Sequence, residues 1–506
     1  MERASEGPRL AVIGGGWAGL AAAVEATTLG DQVTLFEMAP TLGGRARSVS
    51  RVEPALDNGQ HILIGAYADT LRLMRQLGVD STSMLMRTSL TLVDAQGIGL
   101  RLPSGAPILA FARGVFAHRG WTLRDRASLL LKAVYWASIG FTCRSDLTVS
   151  SLCSDLPQAV QRDLIEPLCV SALNTPAPQA SARVFLRVLH DAMFSGPGSA
   201  DMLLPRQPLG DLLPEPARQW LTQRGTEVLT SRRVMSIEAD GALWRVDGEP
   251  FDGVVLACTA SEAGRLVRAH APLWSRCATA LWYEPIVTVY AMSVGTRLPQ
   301  AMTVLRADGP HGPAQFVFDH GWLSGRDGLL SFVISAAEPW IEAGPDATAQ
   351  AVLTQANAQL AGHLRAPLQT LRVFNEKRAT FRCKPRLQRP PPRISAGLMA
   401  AGDYIEGPYP ATLEGAKVRI VIDAKSLNTA NKNRDEHLRS EDFFHVAKYP
   451  KITFTSTDVR REGDKVRVQI KDVDDRGKLS LIPVLDEADS ADSADSAPAD
   501  AATADA

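Results

Sequence analysis

The sequence has no CxxC pair: its six cysteines, Cys143, Cys153, Cys169, Cys258, Cys277 and Cys383, are scattered along 506 residues. That argues against a disulfide framework or zinc ribbon, and reads as reduced, mostly buried thiols in a cytosolic chain. Net charge is nearly absent too, with 54 Lys and Arg against 55 Asp and Glu, so nothing global draws the chain to nucleic acid or membrane. No cluster of side chains has metal-ligand spacing. Long hydrophobic runs are also missing. The longest, "ASLLLKAVYWASIGF" at residues 127–141, is too short to span a bilayer and carries Lys132. The opening "MERASEGPRLAVIGGG" does not read as a signal peptide, because its apolar run is short and ends in glycine. A soluble or peripheral chain is expected, long enough for two to four domains and an enzyme-sized core.

One local pattern stands out against these absences. Leu10-Ala11-Val12-Ile13 is a short buried-strand run, and Gly14, Gly16 and Gly19 form GxGxxG. Ala18–Leu29 then reads as a helix and Gln32–Phe36 as a second strand ending at Glu37. The glycines permit a tight turn and close approach to a pyrophosphate, the helix N-terminus faces the phosphates, and Glu37 suits a ribose 2′-hydroxyl. An acid there favours FAD or NAD over NADP. Gly43-Gly44-Arg45 follows the second strand, where a flavin pyrophosphate would be reached. A hairpin is expected over residues 232–248 with Asp240-Gly241 at its turn, then a buried strand over 252–258. Val234, at the head of that hairpin, joins the cofactor-binding set. Gly402-Asp403 precedes a helix start, where the acid would meet a ribityl hydroxyl; a plain helix or turn acid is the alternative. Taken together, these features select FAD.

The blocks "DNGQHILIGAY" (57–67), "LNTPAPQASARVFLRVL" (173–189), "MLLPRQPLGDLLPEPARQWLTQRG" (202–225), "YEPIVTVY" (283–290) and "AGDYIEGPYPATLEGA" (401–416) carry a resemblance. Over about residues 8–416 the chain resembles the FAD-dependent amine oxidase and phytoene desaturase superfamily, and within it the bacterial hydroxysqualene dehydroxylases. The resemblance implies an α/β fold: a Rossmann-like FAD-binding domain over residues 8–110, 205–270 and 395–416, with an inserted α+β substrate domain over 111–204 and 271–394. It also implies an activity, reductive removal of the allylic hydroxyl of hydroxysqualene to give squalene for hopanoid synthesis. Such chemistry needs hydride delivery to an allylic carbon and stabilisation of the departing oxygen. His61 is the first candidate for that second task, with Asp57, Tyr404 and Tyr409 as alternatives; His61 reads equally as a structural histidine. Aromatic faces beside an allylic cation are a further alternative. Asn174-Thr175-Pro176 either lines the cavity or is a turn that stops a helix.

An isoprenoid substrate would come from a membrane. Residues 111–144 offer Arg113, Arg119, Arg124, Arg126, Lys132 and Arg144 against Asp125, interleaved with Phe111, Phe116, Trp121, Tyr135, Trp136 and Phe141. That mixture suits an anionic surface, and equally a core helix with a solvated basic face. The expectation is a cytoplasmic enzyme peripheral to the inner membrane, with an unidentified electron donor and no nucleic-acid partner. Alternatives are an amine oxidase, although no CGGH-type covalent flavin motif is present, a phytoene-type desaturase, or a non-catalytic isoprenoid-binding protein.

After residue 416 the character changes. A helix opens at Ala411, yet within a turn the period becomes that of a strand, Val418, Ile420 and Ile422 alternating with Arg419, Val421 and Asp423. Residues 418–468, with "RDEHLRSEDFF" and "KYPKITFTS", resemble part of the YceI-like polyisoprenoid-binding barrels. A ligand-holding barrel takes about eight strands, more than this stretch supplies. Residues 468–484, "VQIKDVDDRGKLSLIPV", resemble the final hairpin of polynucleotide phosphorylase, and the acidic tail from Asp486 reads as disordered. The join falls inside an element the flavin domain would use as its closing helix, so a weakened FAD domain is expected.

Overall fold

The computed structural model describes residues 7–49, 56–307 and 312–407, together with six short strands between residues 419 and 480. Tyr409 and the helix start expected at Ala411 lie outside the described residues. The chain divides into two units, residues 1–415 and 416–506.

Three distant stretches of the first unit build one six-stranded sheet. Its order is Glu227–Leu229, Gln32–Phe36, Arg9–Ile13, Gly253–Leu256, Leu398–Ala400 and Arg393–Ser395, and every neighbouring pair is parallel except the last. Strands covered on both faces read as unbroken apolar runs, which is why "LAVI" and "GVVL" show no alternation. The helix Trp17–Leu29 crosses between the first two strands and buries Leu20, Ala23 and Val24 with Val12 and Leu35. It ends at Gly30, whose left-handed φ of 95° lets its amide reach the Ala26 and Thr27 carbonyls. The expected hairpin is present: Ile237–Asp240 pairs antiparallel with Leu243–Val246, and Glu249–Phe251 adds a third strand.

The second large sheet is antiparallel, in the order Met302–Val304, Phe316–Asp319, Leu329–Ile334, Tyr283–Met292 and Gln369–Phe381. Side chains alternate across it. Val287, Val289 and Ala291 join Phe332 and Ile334 beneath the helix Pro345–Gln359, which contributes Val352 and Ala356. On the opposite face Ile286, Thr288 and Tyr290 lie level with Ser331, Val333, Phe316 and Phe318. The last three sit in one core cluster with Leu173, Phe185 and Leu186 of the helices Glu166–Leu173 and Ala182–Phe194. Thr288 looks toward the segment that follows Leu56: its Oγ1 lies 3.4 Å from where a Cβ on Gly59 would stand.

Of the two readings of Asn174-Thr175-Pro176, the turn is what the fold contains. Asn174 ends its helix with φ of 44°. Its Nδ2 donates to the Glu284 carbonyl at 3.2 Å and to Thr380 Oγ1 at 3.1 Å, while its Oδ1 accepts from the Ala336 amide at 2.8 Å. A side chain with all its polar atoms committed fastens three segments rather than facing a ligand.

The helices Pro107–Ala117 and Leu123–Ser138 form a hairpin, the second opened by a capping box between Thr122 and Asp125. Trp121 and Trp136, each 3% exposed, turn into the core, and Phe111 and Phe141 are half-buried. Of the aromatics expected to face outward, Phe116 and Tyr135 do so.

In the second unit, the strand anticipated from alternation is present: Arg419–Asp423 pairs antiparallel with Lys451–Thr455, Ile420 opposite Phe454. Two shorter ribbons follow, Arg460–Glu462 with Lys465–Arg467 and Asp472–Val473 with Leu479–Ser480.

Candidate active site and cofactor cradle

The glycine turn has the geometry a dinucleotide needs. Gly14 has φ of 115°, and a Cβ on Gly19 would come within 1.8 Å of the Gly14 carbonyl oxygen, so neither position admits a side chain without movement. The helix beginning at Trp17 has no side-chain cap, which leaves its first amides available for phosphate oxygens. Glu37 closes the next strand and is 7% exposed. Its Oε2 accepts from the Gly15 amide and its Oε1 from the Ala39 amide, both at 2.7 Å. Each carboxylate oxygen retains capacity for a further donor such as a ribose hydroxyl. The segment carrying Val234 runs alongside, with Ser231 and Arg232 donating to the Ala39 and Glu37 carbonyls at 2.9 Å. The Val234 carbonyl accepts from Arg265 Nη2 at 2.8 Å.

A bridge between Gly16 and Gly43 lays the "GGR" loop against the glycine turn, and the Gly43 amide donates to the Gly15 carbonyl at 2.8 Å. This positions Arg45 to form a two-pronged ion pair with Asp403, Nη2 to Oδ1 at 2.6 Å and Nη1 to Oδ2 at 2.9 Å. Arg45 Nη1 also donates to the Ala379 carbonyl at 2.5 Å. Burial works against the Arg45 charge, but the Asp403 carboxylate outweighs it and holds the guanidinium above its ordinary pKa. Gly402 precedes Asp403, and a Cβ there would lie 2.9 Å from the Tyr404 ring. The Tyr404 hydroxyl is buried with no hydrogen-bond partner, and burial pushes its pKa well above the usual range. An uncapped helix N-terminus, a buried acid with spare acceptor capacity, a half-buried guanidinium and an orphaned hydroxyl together fit a bound dinucleotide carrying a polar chain.

Of the four catalytic candidates, Asp57, His61 and Tyr404 lie among the described residues, each in a different setting. Asp57 Oδ1 accepts from the Leu209 amide at 3.0 Å and from Ser48 Oγ at 2.8 Å, which is a loop-fastening role. Burial pushes its carboxyl up to about 6, against the pull of both donors. His61 Nδ1 lies 3.1 Å from the Gly59 carbonyl. Burial lowers its pKa, the Gly59 bond opposes that, and Arg45 lowers it further. The ring is therefore neutral near pH 7, donating from Nδ1 and presenting Nε2 as an acceptor. Tyr404 stays protonated among the cradle residues.

Two residues missed from the sequence complete the site. Glu376 stands opposite Ile286, at an irregularity where residues 377–379 of the long strand face Pro285 alone. Bulges of this kind re-aim side chains beside active sites. Its Oε2 accepts from Asn58 Nδ2 at 3.1 Å and its Oε1 from the Arg378 amide at 3.2 Å. Asn58 Nδ2 also lies 3.4 Å from the Arg45 carbonyl, so one amide links sheet and cradle. Asn58 was in view within "DNGQH", but no local pattern marks Glu376.

A parallel sheet with this glycine turn, and a second sheet set against it through residues 57–61, define a flavoenzyme. The chain belongs to the flavin containing amine oxidoreductase family, whose model matches residues 17–417, and it is an FAD-dependent oxidoreductase. It is 25% identical over 432 residues to the hydroxysqualene dehydroxylase of Sinorhizobium fredii, covering 80% of this chain and 94% of that protein. Among solved structures, an oxidoreductase from Methanosarcina mazei superposes with a TM-score of 0.62 at 13% identity, covering 80% of this chain and 97% of that one. The YceI-like domain matches residues 400–483, a range that takes in all but the last residue of the segment likened above to polynucleotide phosphorylase. Protein YceI of Salmonella arizonae is 48% identical over 52 residues, 10% of this chain and 27% of that protein. The chain thus spans about a quarter of that relative's length. Among the described residues no helix is long and apolar enough to cross a membrane.

Proposed function

We propose that the chain reductively removes the allylic hydroxyl of hydroxysqualene, releasing squalene and water, as a step toward hopanoids. The observation that carries this reading is the substrate-side sheet face. Phe316, Phe318, Val333 and Met302 are buried with Phe185 and Leu186 of the helix Ala182–Phe194, Ile286 packs against them, and polar groups such as Thr288 and Ser331 lie on the same sheet face. A long branched hydrocarbon with one oxygen suits such a surface. FAD, once bound and reduced, would supply the hydride, and the second hydrogen of the reduced flavin, released as a proton, would balance the leaving hydroxyl as water.

Polar residues divide the remaining work. Glu376 is held in place by two N–H donors, the Asn58 side-chain amide and the Arg378 backbone amide. A fixed carboxylate there lowers the energy of an allylic carbon that gains positive charge as its C–O bond breaks. His61, neutral with Nε2 accepting, is suited to hold the substrate hydroxyl in place rather than to protonate it. Arg45 and Asp403 fix the cofactor side of the cleft.

The test is anaerobic. Chemically reduced enzyme is mixed with hydroxysqualene, and flavin reoxidation is followed together with extracted hydrocarbon. One squalene per flavin reoxidised is expected. An oxidised enzyme whose flavin is instead bleached by an amine would be an amine oxidase, and this reading would be abandoned.

A further inference from the structure

The helical hairpin 107–138 is dressed the wrong way round for a surface in water. Among the described residues seventeen large apolar side chains are exposed, and seven of them fall between residues 108 and 135. On the helix Pro107–Ala117 these are Ile108, Leu109 and Phe116, with Leu109, Arg113 and Phe116 at the i, i+4, i+7 spacing of one helix face. On the helix Leu123–Ser138 they are Leu123, Leu131, Val134 and Tyr135, the last three forming a stripe with Ala127 and Ser138. Leu131 is 71% exposed. The inward faces are separately apolar: Ala110 and Val115 on one helix, Leu129 and Trp136 on the other, all within the core. Each helix therefore carries two apolar faces, and the core uses one. Ile98, also exposed, lies against the turn between them, its Cγ2 3.2 Å from a Cβ placed on Gly120.

The charges sort the same way. Lys132 Nζ is bound by Asp155 at 2.7 Å, and Arg144 by Asp146 at 2.6 Å. Arg126 Nη2 donates to the His118 carbonyl at 2.7 Å. Among the described residues of this segment, the exposed cations outside an ion pair are Arg113, Arg119 and Arg124, placed on or beside the two stripes, with the half-buried Asp125 among them tied to Thr122. Aliphatic and aromatic side chains edged by arginines match the boundary between acyl chains and anionic headgroups. A water-facing protein patch has no use for the first, and a neutral apolar partner none for the second.

We infer that this hairpin is a monotopic seat on an anionic lipid bilayer, entered side-on by the exposed stripes of both helices and fixed by Arg113, Arg119 and Arg124. The inference rests on the proposed isoprenoid substrate only for its purpose. The helix Pro107–Ala117 packs its inner side on Ala182–Phe194, which borders the apolar sheet face, so a lipid-borne substrate arrives next to that face.

The experiment is flotation of the purified full chain with vesicles of phosphatidylcholine alone or with one-third phosphatidylglycerol. Binding to the anionic vesicles is expected, weakening as salt rises. Leu131→Ser, Val134→Ser and Tyr135→Ser combined should abolish it, with circular dichroism and flavin absorbance unchanged because these side chains are exposed. Replacing the three arginines by glutamine should lower partition about a hundredfold, at about fivefold per charge near such a surface. No flotation, or flotation that survives the apolar triple change, overturns the proposal. So does light scattering that reports a dimer which the same change converts to monomer, since the stripes would then cover a second copy. None of these readings depends on turnover, so failure here is distinct from failure of the dehydroxylase assignment.

Discussion

Replacing Arg45 by methionine would strand a carboxylate. The Asp403 side chain is 7% exposed and takes both its close contacts from one guanidinium, at 2.6 and 2.9 Å. Breaking a fully buried pair of this kind from one side costs about 3–5 kcal/mol. Arg45 is 35% exposed, so water reaches part of the gap, and about 2–4 kcal/mol is the better expectation. The Ala379 carbonyl loses a donor in the same change. Unfolding entropy near 2 cal/mol/K per residue, over a unit ending at residue 415, makes this a fall in midpoint of about 2–5 °C. Thermal melts by circular dichroism at two fixed FAD concentrations separate the causes. Lost affinity depends on ligand concentration, and a stranded charge does not. Asp403→Asn added to Arg45→Met removes that charge, so the double variant should melt higher than the two single shifts predict. Additive shifts, or a single Arg45→Met change below 1 °C, would refute the argument that this pair is held as a unit.

Asp57→Asn should gain stability relative to the parent as pH rises. The folded carboxyl titrates near 6 against an ordinary value of 3.8, so the parent pays a penalty that begins above pH 4 and is complete above pH 6, about 1–3 kcal/mol; melts at pH 4.5 and 7.5 that shift equally would contradict this. His320, lowered to about 4 by burial, works in the opposite sense. The unfolded chain takes up its proton first below pH 6.5, so His320→Gln should flatten the loss of stability between pH 6.5 and 4. Glu376→Gln keeps an acceptor for Asn58 yet removes the charge, so single-turnover flavin reoxidation should slow by about 10²-fold with FAD affinity unchanged; an unaltered rate would remove Glu376 from the mechanism. Finally, substituting an apolar-faced closing helix for residues 417–506 should raise flavin occupancy after gel filtration. Equal occupancy in the original chain would show that the YceI-like continuation costs the flavin domain nothing.

The readable part of this protein is the part written locally. Strand, glycine turn, helix and acid follow one another within thirty residues, and each has its own periodicity, so residues 9–37 fold as expected. The hairpin at residues 237–246 was equally legible from its Asp-Gly turn. Asp57 and Glu376 show where that legibility ends. An acid next to Asn-Gly looks catalytic in isolation, and only the arrival of the Leu209 amide reveals its task. Glu376 reaches the site because a strand irregularity turns it toward Asn58, 318 positions away, and neither the irregularity nor the partner is encoded nearby. The aromatics of residues 111–144 divide for a related reason: composition counts them but does not say that Trp121, in the turn, and Trp136, on the inner arc of its helix, are buried while Phe116 and Tyr135 are exposed.

The six-stranded sheet also sets an order of events. Its first two strands leave the ribosome early, yet the strand Leu398–Ala400 that pairs with Gly253–Leu256 is made nearly four hundred residues later. Arg45 waits just as long for Asp403, 358 positions on. Until then a growing chain holds the glycine turn but not the far wall of the cradle, so flavin capture belongs to the last stage of synthesis. A nascent chain interrupted anywhere before that strand would carry a well-formed fingerprint and no grip on its cofactor.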